Sequence, residues 1–204
     1  MVSWQTVKDR LCFPILAFLS ADQAQSLGLT PIDEERVAMA LGQCRGRLLD
    51  IGCGTNELAR RYRSGQGRAI GVDVHPWPGA DVVCDTTRLP FADRQFDTVA
   101  MLACLNHIRR SKRDQVLQEA RRLLKDGGHL LITMINPVVG FFAHTIRRRY
   151  DLDQLERGMG DEEENGLWDG EVKRLLAENG FRIVQTVPFV FGLNRLYIAH
   201  KPAP

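Results

Sequence analysis

Three aspartates near the ends of apolar segments are the residues of this chain best suited to bind a polar ligand. Asp50 lies in the first predicted strand, Asp73 ends the second and Asp85 follows the third. In an open parallel sheet, ligands bind at the carboxyl ends of the strands, where the strand order reverses. Asp73 comes about 20 residues after a pair of glycines, the spacing at which a carboxylate bonds ribose hydroxyls. These carboxylates predict a nucleoside site.

The pair of glycines belongs to the stretch LLDIGCGTN at 48–56. Its apolar residues predict a short buried strand, which Gly52 and Gly54 interrupt, and a helix is expected to begin at Asn56. A strand, a glycine turn and a helix N-terminus in succession let the backbone approach a ligand closely. The rest of the predicted sheet is organised around this turn.

A dinucleotide is the first competing ligand for such a turn. Dinucleotide sites use the pattern G-x-G-x-x-G, in which the third glycine allows close packing near the pyrophosphate. Here Glu57 occupies that third position. A carboxylate at this point argues against NAD or FAD and favours a ligand without phosphate and with a zwitterionic tail. An NAD-dependent oxidoreductase on the same sheet is kept as an alternative.

The elements that position these residues alternate between strand and helix along most of the chain. This alternation predicts an α/β fold, with a Rossmann-like, doubly wound, mostly parallel seven-stranded sheet, helices on both faces and an antiparallel C-terminal hairpin. Strands are predicted at 47–51, 68–73, 81–84, 96–102, 129–135, 181–190 and 196–200. The segment between the second and third strands is too short and rich in proline for a crossover helix, so an extended loop is one interpretation and a misplaced third strand the other.

Helices are predicted by apolar residues at helical spacing and by capping residues. One covers 3–20, with a kink at Pro14, and a second begins with Thr30 as N-cap and Pro31 at the first helical position. A later helix is predicted from Ser111, as its cap, to Lys125, with Gly127 and Gly128 as the stop signal. The remaining two are predicted from Asn56 to about Ser64 and at 168–178.

The chain is interpreted as one domain, 1–204, with four parts. These are an N-terminal helical cover at 1–44, a cofactor-binding core at 45–136, an inserted cap over the substrate at 137–167, and a C-terminal helix and hairpin at 168–204. The insertion combines Phe141 and Phe142 with the basic run 147–149 and the acidic patch 161–164. The basic run is either a solvated face or a binding site for an anionic or lipid-linked acceptor, and the second interpretation allows peripheral membrane contact.

Composition narrows the class of protein. The chain has 204 residues, of which 44% are hydrophobic and 25% charged, with a formal net charge of +2. These values predict an ordinary globular domain without a transmembrane segment, and the near-neutral charge argues against a nucleic-acid partner. Its five cysteines are odd in number and contain no C-x-x-C pair, so we expect reduced thiols and a cytoplasmic location. The five histidines show no metal-ligand spacing, and no metal is expected.

Taken together, five segments resemble the class I S-adenosylmethionine-dependent methyltransferases, of the small type 11 kind. They cover roughly residues 45–135 in the order of that family: LLDIGCGTN at 48–56, GVDV at 71–74, CDTTRLPFADRQFDTV at 84–99, LNHI at 105–108 and EARRLLKDGGHLLIT at 119–133. The resemblance implies S-adenosylmethionine as cofactor and methyl transfer as activity.

The resemblance also implies a role for residues at matching positions. Gly52 and Gly54, with Cys53 between them, let the methionine part pass over the backbone, and Asp50 orients that turn or the amino group. The thiol of Cys53 itself is interpreted as a small packing group. Ala103, after the fourth strand, is expected beside the methionine part.

The nucleoside end of the cofactor is assigned in the same way. Asp73 holds both ribose hydroxyls, Val74 packs on the adenine, and Asp85 and Thr86 face its amino edge. Asn56 stands where the family often has a third glycine, and asparagine tolerates the left-handed backbone better than most residues.

Methyl transfer requires mainly alignment, with a general base where the acceptor is a hydroxyl. His107 and His144 are the candidate bases, and each has an alternative interpretation as a packing or helix-capping histidine. The predicted acceptor is a small molecule or a glycan- or lipid-linked molecule. A protein that binds the cofactor without turnover is the remaining alternative, and neither the methylated atom nor the oligomeric state follows from the sequence.

Overall fold

The computed structural model describes Leu19 and residues 21–147 and 162–203. Its helices are α1 (Ala21–Ser26), α2 (Ile32–Leu41), α3 (Glu57–Ser64), α4 (Arg113–Leu123), α5 (Pro137–Arg147) and α6 (Asp169–Glu178). Its strands are β1 (Arg47–Ile51), β2 (Arg68–Asp73), β3 (Val82–Val83), β4 (Phe96–Leu102), β5 (Leu124–Ile135), β6 (Arg182–Phe189) and β7 (Asn194–His200). The helix predicted at 3–20 lies outside the described residues.

The strands form one seven-stranded sheet in the order β3-β2-β1-β4-β5-β7-β6. The first five strands pair in parallel, and β7 pairs antiparallel with both β5 and β6. The predicted fold class, with its antiparallel C-terminal hairpin, is therefore confirmed. The order reverses between β1 and β4, so the crevice where such sheets bind ligands lies beyond the ends of these two strands.

Alternate residues of each strand bury apolar side chains on opposite faces of the sheet, because successive side chains of a strand point to opposite sides. One face packs against α4 and α6, and Leu49, Val99 and Ile132 lie in that layer. The other face packs against α1 and α2 through Leu48 and Ala100. The described part of the N-terminal segment therefore covers the sheet.

The predicted boundaries of two helices and one strand are wrong. Pro31, and not Thr30, is the N-cap of α2. The helix expected from Ser111 begins at Arg113, after a 3₁₀ turn at Arg110–Lys112, and it ends at Leu123. The strand expected from His129 already begins at Leu124, so Gly127 and Gly128 lie inside β5. Sheet pairing takes precedence over the glycine signal here, because the N–H of Gly127 donates to the carbonyl of Lys201 and the N–H of Lys201 to that of Gly128.

An extended loop connects β2 and β3 in place of a crossover helix. Of the two interpretations of this segment, the extended loop is confirmed. Asp81 fixes this loop, since its Oδ2 accepts hydrogen bonds from the N–H of Gly71 at 2.8 Å, from Arg63 at 2.7 Å and from Asn56 at 2.9 Å. These contacts hold the pKa of Asp81 below its usual value, although its partial burial acts in the opposite direction. Among the helices within the described ranges, none is long and apolar enough to cross a membrane.

Candidate cofactor and acceptor site

The turn after β1 lies directly against the turn after β4. Gly52 has φ +70°, and a Cβ there would lie 2.2 Å from Sγ of Cys104, so no side chain fits at this position. Gly54 has φ +52°, yet a Cβ there would meet no atom within 4 Å. The first glycine is therefore required by packing and backbone conformation, whereas the second faces open space that a ligand can enter.

Asp73 ties this turn to the end of β2. Its Oδ2 accepts a hydrogen bond from the N–H of Gly54 at 2.9 Å, and its Oδ1 accepts one from the N–H of His75 at 2.9 Å. The residue is 7% exposed. Each carboxylate oxygen has a second lone pair, so both can still accept bonds from neighbouring hydroxyls of a ligand.

Asp50 is the most unusual ionisable group of the site. It is 2% exposed, and its Oδ1 has no hydrogen-bond partner in the structure. Burial raises the pKa of this carboxyl to about 8, and the neighbouring charge of Asp73 adds to the shift. A buried acceptor without a donor is costly, and a cation beside it would favour its ionised form. Asp50 therefore marks a place for a positively charged group.

Asn56 and Cys53 are held by the surrounding backbone. Asn56 adopts φ 62° and ψ 31°, the left-handed conformation expected of it, and its amide donates to the carbonyl of Gly79 at 2.8 Å. Its side chain thus joins the start of α3 to the loop between β2 and β3. The N–H of Cys53 donates to the carbonyl of Val72 at 3.1 Å, and burial raises the pKa of its thiol, which is consistent with a packing role.

The three residues expected at the adenine differ in their exposure. Val74 is 53% exposed and Thr86 is buried. The Oδ1 atom of Asp85 accepts hydrogen bonds from the N–H of Thr87 at 2.9 Å and from its hydroxyl at 2.8 Å, and its Oδ2 lies 3.7 Å from Nζ of Lys112. Asp85 is therefore oriented by its own loop, and Val74 offers an uncovered apolar surface.

Ala103 begins the turn after β4 in a strained conformation. Its φ is +49°, and its N–H donates to the carbonyl of Thr133 at 3.2 Å and to the hydroxyl of Thr133 at 2.9 Å. A positive φ is unfavourable for alanine and is found mainly where the surrounding structure enforces it, often at functional sites. The next residues form a 3₁₀ turn, Leu105–His107.

Three consecutive glutamates, Glu162–Glu164, contact the segment that follows β4, and we call them the acidic strap. The Oε2 atom of Glu162 accepts a hydrogen bond from the hydroxyl of Ser111 at 2.8 Å. Oε2 of Glu163 lies 3.4 Å from Nδ1 of His107, and Oε2 of Glu164 lies 2.7 Å from Nη1 of Arg113.

Backbone contacts reinforce the acidic strap. The N–H of Glu164 donates to the carbonyl of Asn106 at 2.9 Å, and the amide of Asn106 donates back to the carbonyl of Glu164 at 3.0 Å. Oδ1 of Asn106 is buried without a hydrogen-bond partner in the structure. The acidic strap is thus bound to the turn after β4 at several points.

Arg113 joins the elements around the acidic strap, although its side chain is only 1% exposed. Its Nε donates to the carbonyl of Ile108 at 3.1 Å, and its Nη1 lies 3.5 Å from a carboxylate oxygen of Glu171 in α6. Together with the ion pair to Glu164, these contacts fix the turn after β4, the strap and α6 relative to one another.

A surface cavity of about 490 Å³ lies beside the acidic strap and is lined by Arg110, Ser111, Glu162, Glu163 and Glu164. This volume is in the range of small-molecule sites. Glu163 both lines the cavity and lies next to His107, whose side chain is 18% exposed. His144, the other candidate base, falls in α5, and its side chain lies outside the described structure.

The helix α5 presents an apolar surface next to the acidic strap. Phe141 and Phe142 are 54% and 52% exposed, and their rings meet edge to face with centroids 5.6 Å apart. A Cβ at Gly140 would lie 1.8 Å from the carbonyl oxygen of Asn165, so α5 packs directly on the residues that follow the strap. No group of three or more histidine, cysteine, aspartate or glutamate residues that could hold a metal ion occurs within the described ranges.

Residues 49–132 match a family model described as a methyltransferase domain. A ubiquinone/menaquinone biosynthesis C-methyltransferase of Bordetella avium is 35% identical over 103 residues, which are 42% of this chain and 40% of that protein. A probable tRNA methyltransferase 9B of Bos taurus is 31% identical over 94 residues, 42% of this chain and 20% of that protein. The matched part is therefore less than half of each of these curated relatives.

The fold agrees with these matches. A 1,6-didemethyltoxoflavin-N1-methyltransferase of Burkholderia thailandensis, solved with its substrate and S-adenosylhomocysteine, superposes with a TM-score of 0.60. It is 19% identical, over 83% of this chain and 77% of that chain. Residues 49–132 thus match the methyltransferase domain family, and the described fold is that of this neighbour, which supports S-adenosylmethionine, the cofactor that the resemblance implied. The matching model places these residues in the methyltransferase domain family of type 11, as the resemblance implied.

The residues at the turn fit this cofactor. Its sulfonium and ammonium groups are cations, and the buried Oδ1 of Asp50 lacks a donor. Gly54 leaves open space for a chain to pass, and Asp73 keeps free lone pairs for two hydroxyls. No phosphate needs to be accommodated, and Glu57 instead pairs with Arg60 and Arg61 along its own helix. The site therefore gives no support to NAD or FAD as the ligand.

Sequence reasoning missed Arg113, Glu163 and the role of Asn106. The sequence did contain a signal for Arg113 and Glu163. They lie in a basic stretch, 109–113, and an acidic patch, 161–164, which have opposite charges and similar lengths. Such complementary runs are a reason to expect contact between distant segments.

Proposed function

We propose that this chain transfers the methyl group of S-adenosylmethionine to a small phenolic or hydroquinone acceptor that carries an apolar or lipid-linked tail. The observation that carries the cofactor assignment is Asp50, whose buried Oδ1 has no partner and whose pKa is raised to about 8 by burial. Such a group is best explained by a cationic ligand that replaces the missing donor.

The cofactor supplies an activated methyl group. Once bound, it would donate this methyl to a lone pair of the acceptor, and the electron pair of the broken carbon–sulfur bond would stay on the sulfur. Residues of this chain align the partners: Asp73 holds the ribose, Val74 supports the adenine, Asp85 and Thr86 face its amino edge, and the turn with Asp50, Gly52, Gly54 and Ala103 holds the methionine part. Alignment of this kind accounts for most of the catalysis that methyl transfer requires.

The acceptor is placed beyond the ends of β4 and β5. The cavity of about 490 Å³ beside the acidic strap offers room for an aromatic head group. His107, which lies next to the cavity-lining Glu163, takes the hydroxyl proton as general base, which is a contribution of about 10² to 10⁴ in rate where such a base acts. The exposed Phe141 and Phe142 receive the apolar tail, and the basic residues that follow them in the sequence favour an anionic surface.

The comparisons leave the acceptor open, because the matched residues 49–132 are the part that surrounds the cofactor. One relative is named for a quinone pathway and another for tRNA, although both match over this same part of the chain. We therefore assign acceptor choice to residues 137–167 and propose that they cap the core at 45–136. Within the described ranges, Cys44, Cys53, Cys84 and Cys104 form no disulfide bond, which supports a cytoplasmic enzyme.

Two measurements test this function. Isothermal titration of the purified chain with S-adenosylmethionine and S-adenosylhomocysteine is expected to show binding of both. Radiolabelled methyl transfer is then measured with a prenylated hydroquinone, a catechol, a primary amine, a glycan and a tRNA transcript. We expect the prenylated hydroquinone to be the best acceptor. Absence of cofactor binding would refute the cofactor assignment, and preference for the tRNA or the glycan would refute the acceptor class.

A further inference from the structure

Glu163 differs from its two neighbours in the acidic strap. The side chain of Glu163 is 6% exposed and that of Glu164 is 38% exposed, whereas Glu162 lies at the surface. Ser111 and Arg113 hold the outer two glutamates. Because both flanking residues are anchored, the carboxylate between them has little freedom to move away from His107.

The contact between Glu163 and His107 has the arrangement of a base and its orienting group. The carboxylate oxygen lies 3.4 Å from Nδ1 of the ring without the alignment of a hydrogen bond, and hydrogen bonds at catalytic groups are often long or poorly aligned before the substrate is bound. The N–H of His107 also donates to the carbonyl of Cys104 at 2.9 Å, which fixes its backbone in the turn after β4. The backbone of His107 is therefore held, and its ring lies beside the carboxylate of Glu163.

A carboxylate at Nδ1 decides which ring nitrogen carries the proton. In the neutral ring, one nitrogen donates and the other accepts, and the partner of the first sets the state of the second. A proton on Nδ1 that is donated to Glu163 leaves the lone pair on Nε2 to accept a proton from the acceptor. When that proton arrives, the negative carboxylate also stabilises the imidazolium that forms.

From this arrangement we propose that Glu163 is the positioning residue of the reaction, which holds His107 in the tautomer that can act as general base. The inference rests on the proposed function, since it assigns an additional residue to the same site. Glu163 acts through His107 and not on the reacting atoms. The acidic strap, which is distant in sequence from the cofactor motifs, thus becomes part of the catalytic apparatus.

The first experiment follows the ring by ¹⁵N NMR in the complete, ¹⁵N-histidine-labelled chain and needs no acceptor. We expect the two-bond correlations of His107 to show Nδ1–H with bare Nε2, and Glu163→Gln to shift the ring away from this tautomer because an amide can donate to Nδ1. An identical tautomer in both proteins would overturn the proposal. Glu178→Gln, an exposed glutamate paired with Arg174, is the matched control and is expected to leave the spectrum of His107 unchanged.

The second experiment measures kinetics with the prenylated hydroquinone. Glu163→Gln is expected to lower kcat about 10- to 100-fold, a part of the 10² to 10⁴ that a general base contributes, with the KM for S-adenosylmethionine unchanged. Glu163→Asp should recover part of the loss. The double variant His107→Asn with Glu163→Gln is expected to be no slower than His107→Asn alone, because residues that act as a unit are not additive. A further loss equal to that in the wild-type background would overturn the proposal.

The two experiments separate this proposal from the function on which it rests. If the wild-type chain binds S-adenosylmethionine but methylates none of the five acceptors, the proposed function fails while the NMR result still decides the contact between Glu163 and His107. If turnover occurs and the tautomer does not respond to Glu163→Gln, only the positioning role is refuted.

Discussion

The proposed cofactor side and the proposed acceptor side of the crevice are built in different ways. On the cofactor side, each group lies at the end of a strand or in the turn that follows, so Asp50, Gly52 and Asp73 are positioned by the sheet itself. On the proposed acceptor side, the acidic strap is held by side-chain contacts to residues about 50 positions earlier in the chain, such as Ser111 and Arg113. The first side depends on hydrogen-bonded backbone and the second on charge pairing between segments.

This difference affects how far the amino-acid sequence of each side can change. A sheet edge tolerates little change in its turns, because a side chain at Gly52 would collide with Cys104. A strap that is fixed by a few ion pairs can change its sequence while the sheet remains intact. The same core can therefore serve different acceptors, in agreement with matches to relatives named for quinone and for tRNA substrates.

Loss of the Asp73 carboxylate is expected to have the largest effect and to fall on the cofactor side alone. Asp73→Ala should weaken S-adenosylmethionine binding by about 10² to 10⁴, because two charge-assisted bonds of roughly 1.5 to 3 kcal/mol each are removed. Isothermal titration measures this, with Asp85→Asn as a comparison whose loss should be below about tenfold, since Asp85 is exposed. A dissociation constant within threefold of wild type for Asp73→Ala would contradict the assignment.

Removal of the Arg113 guanidinium tests the acceptor side. Arg113→Met is expected to lower the free energy of unfolding by about 2 to 3 kcal/mol, because the carboxylates of Glu164 and Glu171 lose their buried partner. Urea denaturation measures this loss, and binding of S-adenosylmethionine to the folded protein should change less than threefold.

Arg174→Met, at an exposed pair in α6, is the control for Arg113→Met, with an expected change below about 0.5 kcal/mol. If Arg113→Met weakened cofactor binding as strongly as it destabilised the fold, the two sides of the crevice would not be independent.

The protonation of Asp50 predicts a pH dependence of cofactor binding. Burial raises the pKa of Asp50 to about 8, and a bound cation favours the ionised form, so binding releases a proton. Affinity for S-adenosylmethionine should therefore rise with pH, by at most about tenfold per unit, between pH 6 and 7.5, where an α-amino group still keeps its proton. Titration calorimetry in two buffers of different ionisation enthalpy measures the released proton, and a flat profile would contradict the prediction.

Asp50→Asn is the variant that tests this role of Asp50. It is expected to stabilise the cofactor-free fold while it weakens cofactor binding. Between pH 4 and 8 the native cofactor-free protein holds a proton that the unfolded chain has lost, because the native pKa is raised to about 8. Asp50 therefore destabilises the fold increasingly as pH rises through this interval. Asp50→Asn should raise the Tm of the cofactor-free protein at pH 8.5, weaken cofactor binding and remove its pH dependence. A lower Tm at this pH would show that the carboxylate has a donor.

The smallest expected effect concerns the apolar surface of α5. The double variant Phe141→Ser with Phe142→Ser should raise the KM for the prenylated hydroquinone about tenfold, because partial burial of the two rings together contributes roughly 1.5 kcal/mol. The KM for the same hydroquinone without its tail should not change. Since both side chains are exposed, the unfolding free energy should stay within about 0.5 kcal/mol of wild type. Equal effects on both acceptors would argue that α5 does not contact the tail.

Much of the fold could be predicted because its signals are local. Strands such as β1 and β2 are short apolar runs next to glycine turns, and their predicted bounds agree with the structure. The helix boundaries at 111–125 could not be predicted, because the hydroxyl of Ser111 bonds to Glu162 and leaves no side-chain cap for α4. The prediction at Gly127 and Gly128 was wrong for a related reason, since pairing with Lys201, the residue that follows β7, extends β5 through them.

By itself, the sequence determined the fold class, the family match of residues 49–132 and the positions of the strand-end carboxylates and glycine turns. Glycine turns and strand-end carboxylates are close together in the chain, so their arrangement follows from backbone geometry. Only the tertiary structure decided that Asp50 lacks a partner, that Arg113 is buried and that Glu163 lies against His107. Burial and contacts between distant segments set these properties, and they depend on how the whole chain packs.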